Sequence, residues 1–101
     1  MFKFVIAKDG TIYVGKAGGS RGYHMDICGY LPCELVAGAG HLHYSSDYGA
    51  WWCSGRSEGY WCSFTPEQEK QLVAKIQHLN PEDMVGLIYK AYEGHKFGVT
   101  F

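Results

Sequence analysis

Phe2-Lys3-Phe4-Val5-Ile6-Ala7-Lys8-Asp9-Gly10-Thr11-Ile12-Tyr13-Val14 decides the fold class. Aromatic and β-branched residues fill Phe2 to Lys8, a composition that suits a pleated, half-buried strand. Asp9-Gly10 is a strong hairpin signal, predicted as type I′ because both central positions of that turn need positive φ. Thr11 to Val14 then returns as the second strand. The chain therefore opens on a β-hairpin.

Outward from the hairpin, Gly15 to Gly22 reads as a loop with a serine and several glycines. Tyr23 to Tyr30 is ambiguous. Ile27, Tyr30 and Leu31 can form one face of a short helix, which Pro32 would end. Glu34 to Ala37 is too short to assign. Gly38-Ala39-Gly40 marks a tight bend or a close backbone approach. His41 to Tyr44 alternates as a strand, Ser45 to Gly49 is a turn, and Ala50 to Ser54 is the next strand. There Trp51 and Cys53 share one face and Trp52 takes the other. Gly55 to Gly59 is a loop, and Tyr60 to Phe64 is extended or irregular. Thr65-Pro66-Glu67-Gln68 predicts a helix start, with Thr65 as cap, Pro66 at the first helical position and Gln68 closing a capping box. Leu72, Val73, Ile76 and Leu79 then make one apolar stripe. Asn80-Pro81 stops that helix. Met84 to Tyr92 reads as a final long strand, weakened by Gly86, and Glu93 to Phe101 as a tail with a short edge strand. Strands outnumber helices, so an α+β or mixed α/β sheet with the Pro66 helix on one face is expected.

A chain of 101 residues makes one domain. It can bury roughly 60–70% of its unfolded surface, enough for one core. A hydrophobic content of 47% fits a globular protein. The formal net charge of -1 argues against nucleic acid or an anionic membrane as partner. No apolar run approaches the ~20 residues of a membrane span. Met1 leads straight into strand-like sequence, too short for a signal peptide. Cys28 and Cys33, like Cys53 and Cys62, are not spaced as Cys-x-x-Cys, so neither a zinc ribbon nor a redox motif is indicated. Four free thiols in a reducing cytoplasm are expected.

Three constellations can carry chemistry. His24 stands just past a glycine-rich loop containing Lys16 and Arg21, with Lys3 and Arg56 as further cations. An imidazole takes and gives a proton near neutral pH, and cations with oriented N–H donors suit a phosphoryl group. A single histidine is nonetheless more often structural. Gly55-Arg56-Ser57-Glu58-Gly59-Tyr60 can offer a hydroxyl and successive N–H groups as an anion nest, although a plain surface loop explains the same residues. His41-Leu42-His43 puts two imidazoles on one strand face, too few for a zinc site without a further ligand. Asp26 can orient an imidazole or cap a turn.

Taken together these segments resemble the small phosphohistidine phosphatases, the Janus family. The likeness runs in order through Phe2-Lys3-Phe4-Val5, Lys16, Tyr23-His24-Met25-Asp26-Ile27, Gly38-Ala39-Gly40-His41-Leu42, Gly55-Arg56-Ser57-Glu58-Gly59-Tyr60 and the Thr65 helix. The chain departs from the pattern at Lys16 and His41, where relatives carry Arg, and at Trp61, where a Gly is usual. Arg56 and Glu58 add charges to the loop, and the short segment before Gly38 cuts down the family's first helix.

The resemblance implies a single Janus-like domain, a mixed sheet flanked by one long and one shortened helix. It implies a metal-independent, cofactor-free, cytoplasmic and monomeric phosphohydrolase acting on phosphorus–nitrogen bonds of a phosphorylated protein or a small phosphoramidate. His24 would be general base or nucleophile. Lys3 and Lys16 would offset charge on the phosphoryl oxygens, Ser57, Gly59 and Tyr60 would cradle them, and His41 would add a contact. The alternative is a non-catalytic module that binds a phosphorylated or other anionic ligand, or a protein partner, through the same loops.

Overall fold

In the computed structural model, which describes residues 1–16, 23–55, 57, 60, 64–94 and 98–101, the opening hairpin forms. Strand β1 (Phe2–Ala7) pairs antiparallel with β2 (Ile12–Lys16), with Ile6 opposite Ile12. The turn is not type I′. Only Gly10 has positive φ, at 91°, and its N–H donates to the Ala7 carbonyl at 3.0 Å. Asp9 stays out of the left-handed region because its carboxylate accepts the Thr11 N–H at 2.9 Å. The result is a three-residue loop closed by a left-handed glycine.

The sheet has five strands in the order β4-β3-β1-β2-β5. Here β3 is Val36–Ser45, β4 is Ala50–Ser54 and β5 is Gly98–Thr100. Every described pairing is antiparallel, so the expected mixed sheet is corrected to an antiparallel one in an α+β fold. Two hairpins supply two of the pairings. The two longer links are crossovers: β2 to β3 passes over β1, and β4 to β5 passes from one edge of the sheet to the other through the helices α2 (Pro66–Ile76) and α3 (Pro81–Glu93). Central β1 is buried along its whole length, because both faces are covered.

On one face Phe2, Phe4, Ile6, Ile12, Val14 and Leu42 pack against two helices. Helix α2 (Pro66–Ile76) starts at the Thr65 capping box with Pro66 in its first turn, and buries Leu72 and Ile76. Val73 is only half-buried. Burying each such aliphatic side chain stabilises the fold by about 1.5–3 kcal/mol. The expected strand over Met84 to Tyr92 is instead helix α3 (Pro81–Glu93). Asn80 and Pro81 do not only end one helix. The Asn80 side chain accepts the Asp83 N–H at 2.8 Å, and Pro81 opens the next helix. Met84 and Ile88, four apart, are the buried stripe that holds it. Leu79 lies between α2 and α3, where its carbonyl accepts Trp51 Nε1–H at 3.0 Å.

The opposite face carries a smaller cluster of Val5, Ile27, Cys28, Val36, Ala39 and Tyr60. It is covered by a short helix, α1 (His24–Ile27), with Met25 and Leu31 packed against it, and a 3₁₀ turn at Cys33–Leu35 that buries no residue leads into β3. Helix α1 does not run to Pro32. It stops where Gly29 and Tyr30 enter the left-handed region at φ 67° and 59°. The Tyr30 N–H then donates back to the Met25 carbonyl at 2.7 Å. Gly38-Ala39-Gly40 is no bend but part of β3, and the close approach falls at Gly40, where a Cβ would overlap the Ser54 carbonyl oxygen. Trp51 points inward and Trp52 outward on β4. The tail returns as edge strand β5 against β2. No helix among the described residues is long and apolar enough to cross a membrane.

Candidate functional site

Register decides which polar residues meet. Lys3 on β1 stands directly opposite His41 on β3, and His41 stands opposite Ser54 on β4. Lys3 alternates with Phe2 and Phe4, so it faces α1 while they face α2 and α3. His24 opens α1 and comes down on this same face.

His24 is 2% exposed and Lys3 6%. The imidazole Nε2 lies 2.7 Å from the Gly40 carbonyl oxygen. A carbonyl can only accept, so Nε2 carries the proton and the lone pair of the neutral ring sits on Nδ1. The His24 and His41 rings meet edge to face, with centroids 5.1 Å apart. The Lys3 ammonium lies 5.3 Å from the centre of the Tyr23 ring. Among the described residues no carboxylate comes within ion-pair distance of it; the one ion pair there joins Lys70 and Glu67 on the surface of α2. The Lys3 stem is buried, but Nζ is not among the buried polar atoms left without a hydrogen-bond partner, so the ammonium reaches solvent at the end of a buried stem. The site thus has a proton acceptor of fixed tautomer, a second imidazole and an ammonium lacking a protein counter-ion among the described residues. Such a set can hold an anion, draw a proton from water, or attack an electrophile bound beside it.

The other expected site residues are placed differently. Lys16 does not join the cluster. It stands opposite Phe2 and so faces α3, where its ammonium lies 5.8 Å from the Tyr89 ring centre. Asp26 does not orient His24 through its Oδ1, which accepts the Tyr30 hydroxyl at 2.8 Å and holds that phenol above its ordinary range. Ser57 and Tyr60 are together, but the Tyr60 N–H donates to Ser57 Oγ at 3.1 Å instead of standing ready for a phosphoryl oxygen. Gly59 lies outside the described residues, as do Arg21, Arg56, Glu58 and Trp61. His41 and His43 gather no set of three metal-ligating side chains among the described residues. Cys28, Cys33 and Cys53 are free thiols.

Tyr60 nonetheless reaches the histidine helix. Its hydroxyl donates to the Leu31 carbonyl at 2.7 Å and touches Cys28 Sγ at 3.1 Å. That thiol in turn lies 3.3 Å from the His24 carbonyl oxygen. The phenol hydrogen is committed to Leu31, so the thiol is the donor toward the phenol oxygen or the helix carbonyls. One buried side chain therefore ties the Ser57 loop to α1.

Three contributors escape a reading of the chain alone. Gly40 supplies the carbonyl that sets the His24 tautomer, and its flag as a close-approach glycine gives no hint of that. Tyr23 supplies the ring beside Lys3. Trp52 stacks on His43, ring centroids 4.0 Å apart and planes 11° from parallel, on the same face as His41. Comparison with family models, with curated proteins and with solved structures found no match to this chain.

Proposed function

We propose that this chain is a phosphohydrolase acting on phosphorus–nitrogen bonds, with a Janus-like fold and a role similar to the small phosphohistidine phosphatases. The observation that carries the reading is the Lys3 side chain, its stem buried and its ammonium without a carboxylate partner among the described residues, on the face shared with His24 and His41. An anionic ligand there would supply the missing counter-charge. In hydrolysis a P–O bond forms to water as the P–N bond breaks. His24 Nδ1 takes the proton of the attacking water and passes it to the leaving nitrogen, which departs as the free amine or imidazole. In the alternative route Nδ1 itself attacks phosphorus as the substrate P–N bond breaks and its nitrogen takes a proton from water, and a second water then cleaves the phosphoimidazole to phosphate and free His24. Either route uses the lone pair that the Gly40 carbonyl directs to Nδ1. Ser57 and His41 contact the phosphoryl oxygens, with Lys3 offsetting their charge. The free thiols fit a reducing compartment such as the cytoplasm.

The test is release of inorganic phosphate from phosphohistidine and phospholysine in the presence of a chelator. Wild type should turn over. His24→Ala should not. His24→Gln, which keeps an N–H for the Gly40 carbonyl but has no basic nitrogen, should fold like wild type and be equally inactive. Full activity in either variant would remove His24 from the reaction.

A second reading, an anion-binding module without turnover, is favoured by the Tyr60 N–H, already donated to Ser57, and by Lys16, turned to the other face. Phosphate binding that depends on Lys3, with no turnover by wild type, would select it.

A further inference from the structure

The two edges of the sheet are not alike. Edge strand β5 has three residues, whereas β4 has five, Ala50-Trp51-Trp52-Cys53-Ser54, in unbroken register with β3. Folded proteins blunt a sheet edge by keeping it short or by placing charge, proline or a bulge on it. Strand β5 is short, but β4 carries no charge, no proline and no bulge. Among the described residues β4 pairs with β3 alone, so alternate residues of β4 turn both N–H and C=O to the open edge.

Trp52 fixes what fits there. Its cross-strand neighbour is His43, and the two rings stack at 4.0 Å with planes 11° from parallel. The stack runs in the direction in which the strands lie side by side. One indole face is therefore against His43 and the other looks outward past β4, leaving the residue 49% exposed. A further strand would lie about 4.8 Å from β4 and set a side chain against that outer face.

We infer that β4 pairs with β4 of a second copy of this chain, antiparallel, about a two-fold axis at Trp52. The direction of N–H and C=O alternates along a strand, so a two-fold axis between antiparallel copies sets one residue opposite itself. Trp52 is the middle residue of β4, and this register pairs all five, with Ala50 of one copy opposite Ser54 of the other. An axis at Trp51 or Cys53 would pair only three. The two outward indole faces then meet and extend the His43–Trp52 stack to four rings. No like charges are brought together within the paired strands. Self-complementarity at the centre of the edge selects a second copy over a foreign strand. Five residue pairs bury less than a standard interface of about 1,600 Å², so the dimer is a concentration-dependent one. It is independent of the phosphoryl reading, and it replaces the monomer that the resemblance implies.

Sedimentation across a concentration series tests this, with the indole N–H resonances followed in parallel. Wild type should pass from monomer to dimer as concentration rises. The Trp52 indole resonance should move with it, while the Trp51 indole, held on the Leu79 carbonyl at 3.0 Å, moves little and reports the intact fold. Trp52→Lys and Trp52→Glu should each weaken association at least about tenfold, because each copy loses a central tryptophan and sets a like charge opposite itself. Mixed in equal amounts, the two variants should dimerise again, since the two-fold then sets opposite charges face to face. A wild type that stays monomeric throughout, or association undiminished by Trp52→Lys, would overturn the inference. So would a mixture that stays monomeric although each variant keeps the Trp51 resonance. An added extended peptide held at β4 by an otherwise monomeric wild type would assign the edge to a foreign strand instead. If neither variant folds, wild type decides alone: a dimer in which the β4 amides gain no protection from exchange would overturn the inference.

Discussion

Replacing Lys3 with methionine should leave the ligand-free protein about as stable as wild type. Lys3 is 6% exposed on the central strand, and its ammonium has the Tyr23 ring at 5.3 Å but no carboxylate partner among the described residues. The stem is what is buried, and Nζ is not among the buried polar atoms left without a hydrogen-bond partner. Methionine keeps the buried stem's volume without the charge and forfeits a cation–π contact of about 0.5–1 kcal/mol. The change expected for Lys3→Met is therefore within about 1 kcal/mol, where each kcal/mol is roughly 4–8 °C in Tm for a chain of this size. Phosphate should separate the two proteins. At a hundred times its Kd it stabilises wild type by about 2.7 kcal/mol and the variant not at all. Urea unfolding with and without phosphate reads both numbers. A destabilised Lys3→Met protein that still gains the wild-type increment from phosphate would refute the reasoning, because Lys3 would then be supporting the sheet and not an anion.

Other substitutions probe the frame around the site. Gly40→Ala forces a Cβ into the Ser54 carbonyl oxygen and should cost about 3 kcal/mol or more in urea unfolding, with disturbance of the His24 ring resonances. Tyr60→Phe leaves the Leu31 carbonyl without its phenol donor and should cost about 1–2 kcal/mol in thermal unfolding, loosening the Ser57 loop from α1. Burial, with the Glu69 carboxylate adding to it, pushes the Cys53 thiol up to about 12. Alkylation under mildly alkaline native conditions, read by mass spectrometry, should modify exposed Cys33 well before Cys53. The unfolded thiol loses its proton near 8.5, so Cys53 contributes stability fully below that pH and loses it as pH rises toward about 12.

Where local chemistry leaves one solution, the chain is readable. Asp9-Gly10 between two apolar alternating runs produced the hairpin, though the Asp9 side-chain bond to Thr11 chose the turn type. Thr65 and Gln68 produced α2 because their side chains each accept an otherwise unpaired helix-end N–H, and Pro66 has no N–H to leave unpaired. The reading failed at Asn80-Pro81, since the residues that stop one helix also suit the start of the next. Met84 and Ile88 carried the helical period, and Gly86 with the flanking apolar residues obscured it. The site was legible residue by residue but not as an arrangement. His24 stood out by its neighbours, yet its meeting with Lys3 and His41 depends on sheet register, which pairs residues 38 positions apart. Register also explains Lys16, since an odd number of steps from Gly15 turns it to the face of Phe2 and Tyr89.

The most direct measurement of the central claim is phosphate release from phosphohistidine and phospholysine by wild type beside His24→Gln under metal chelation. Turnover by wild type, with none by a His24→Gln protein of unchanged stability, is the predicted result. Equal turnover by the two proteins, or none by either, would contradict it.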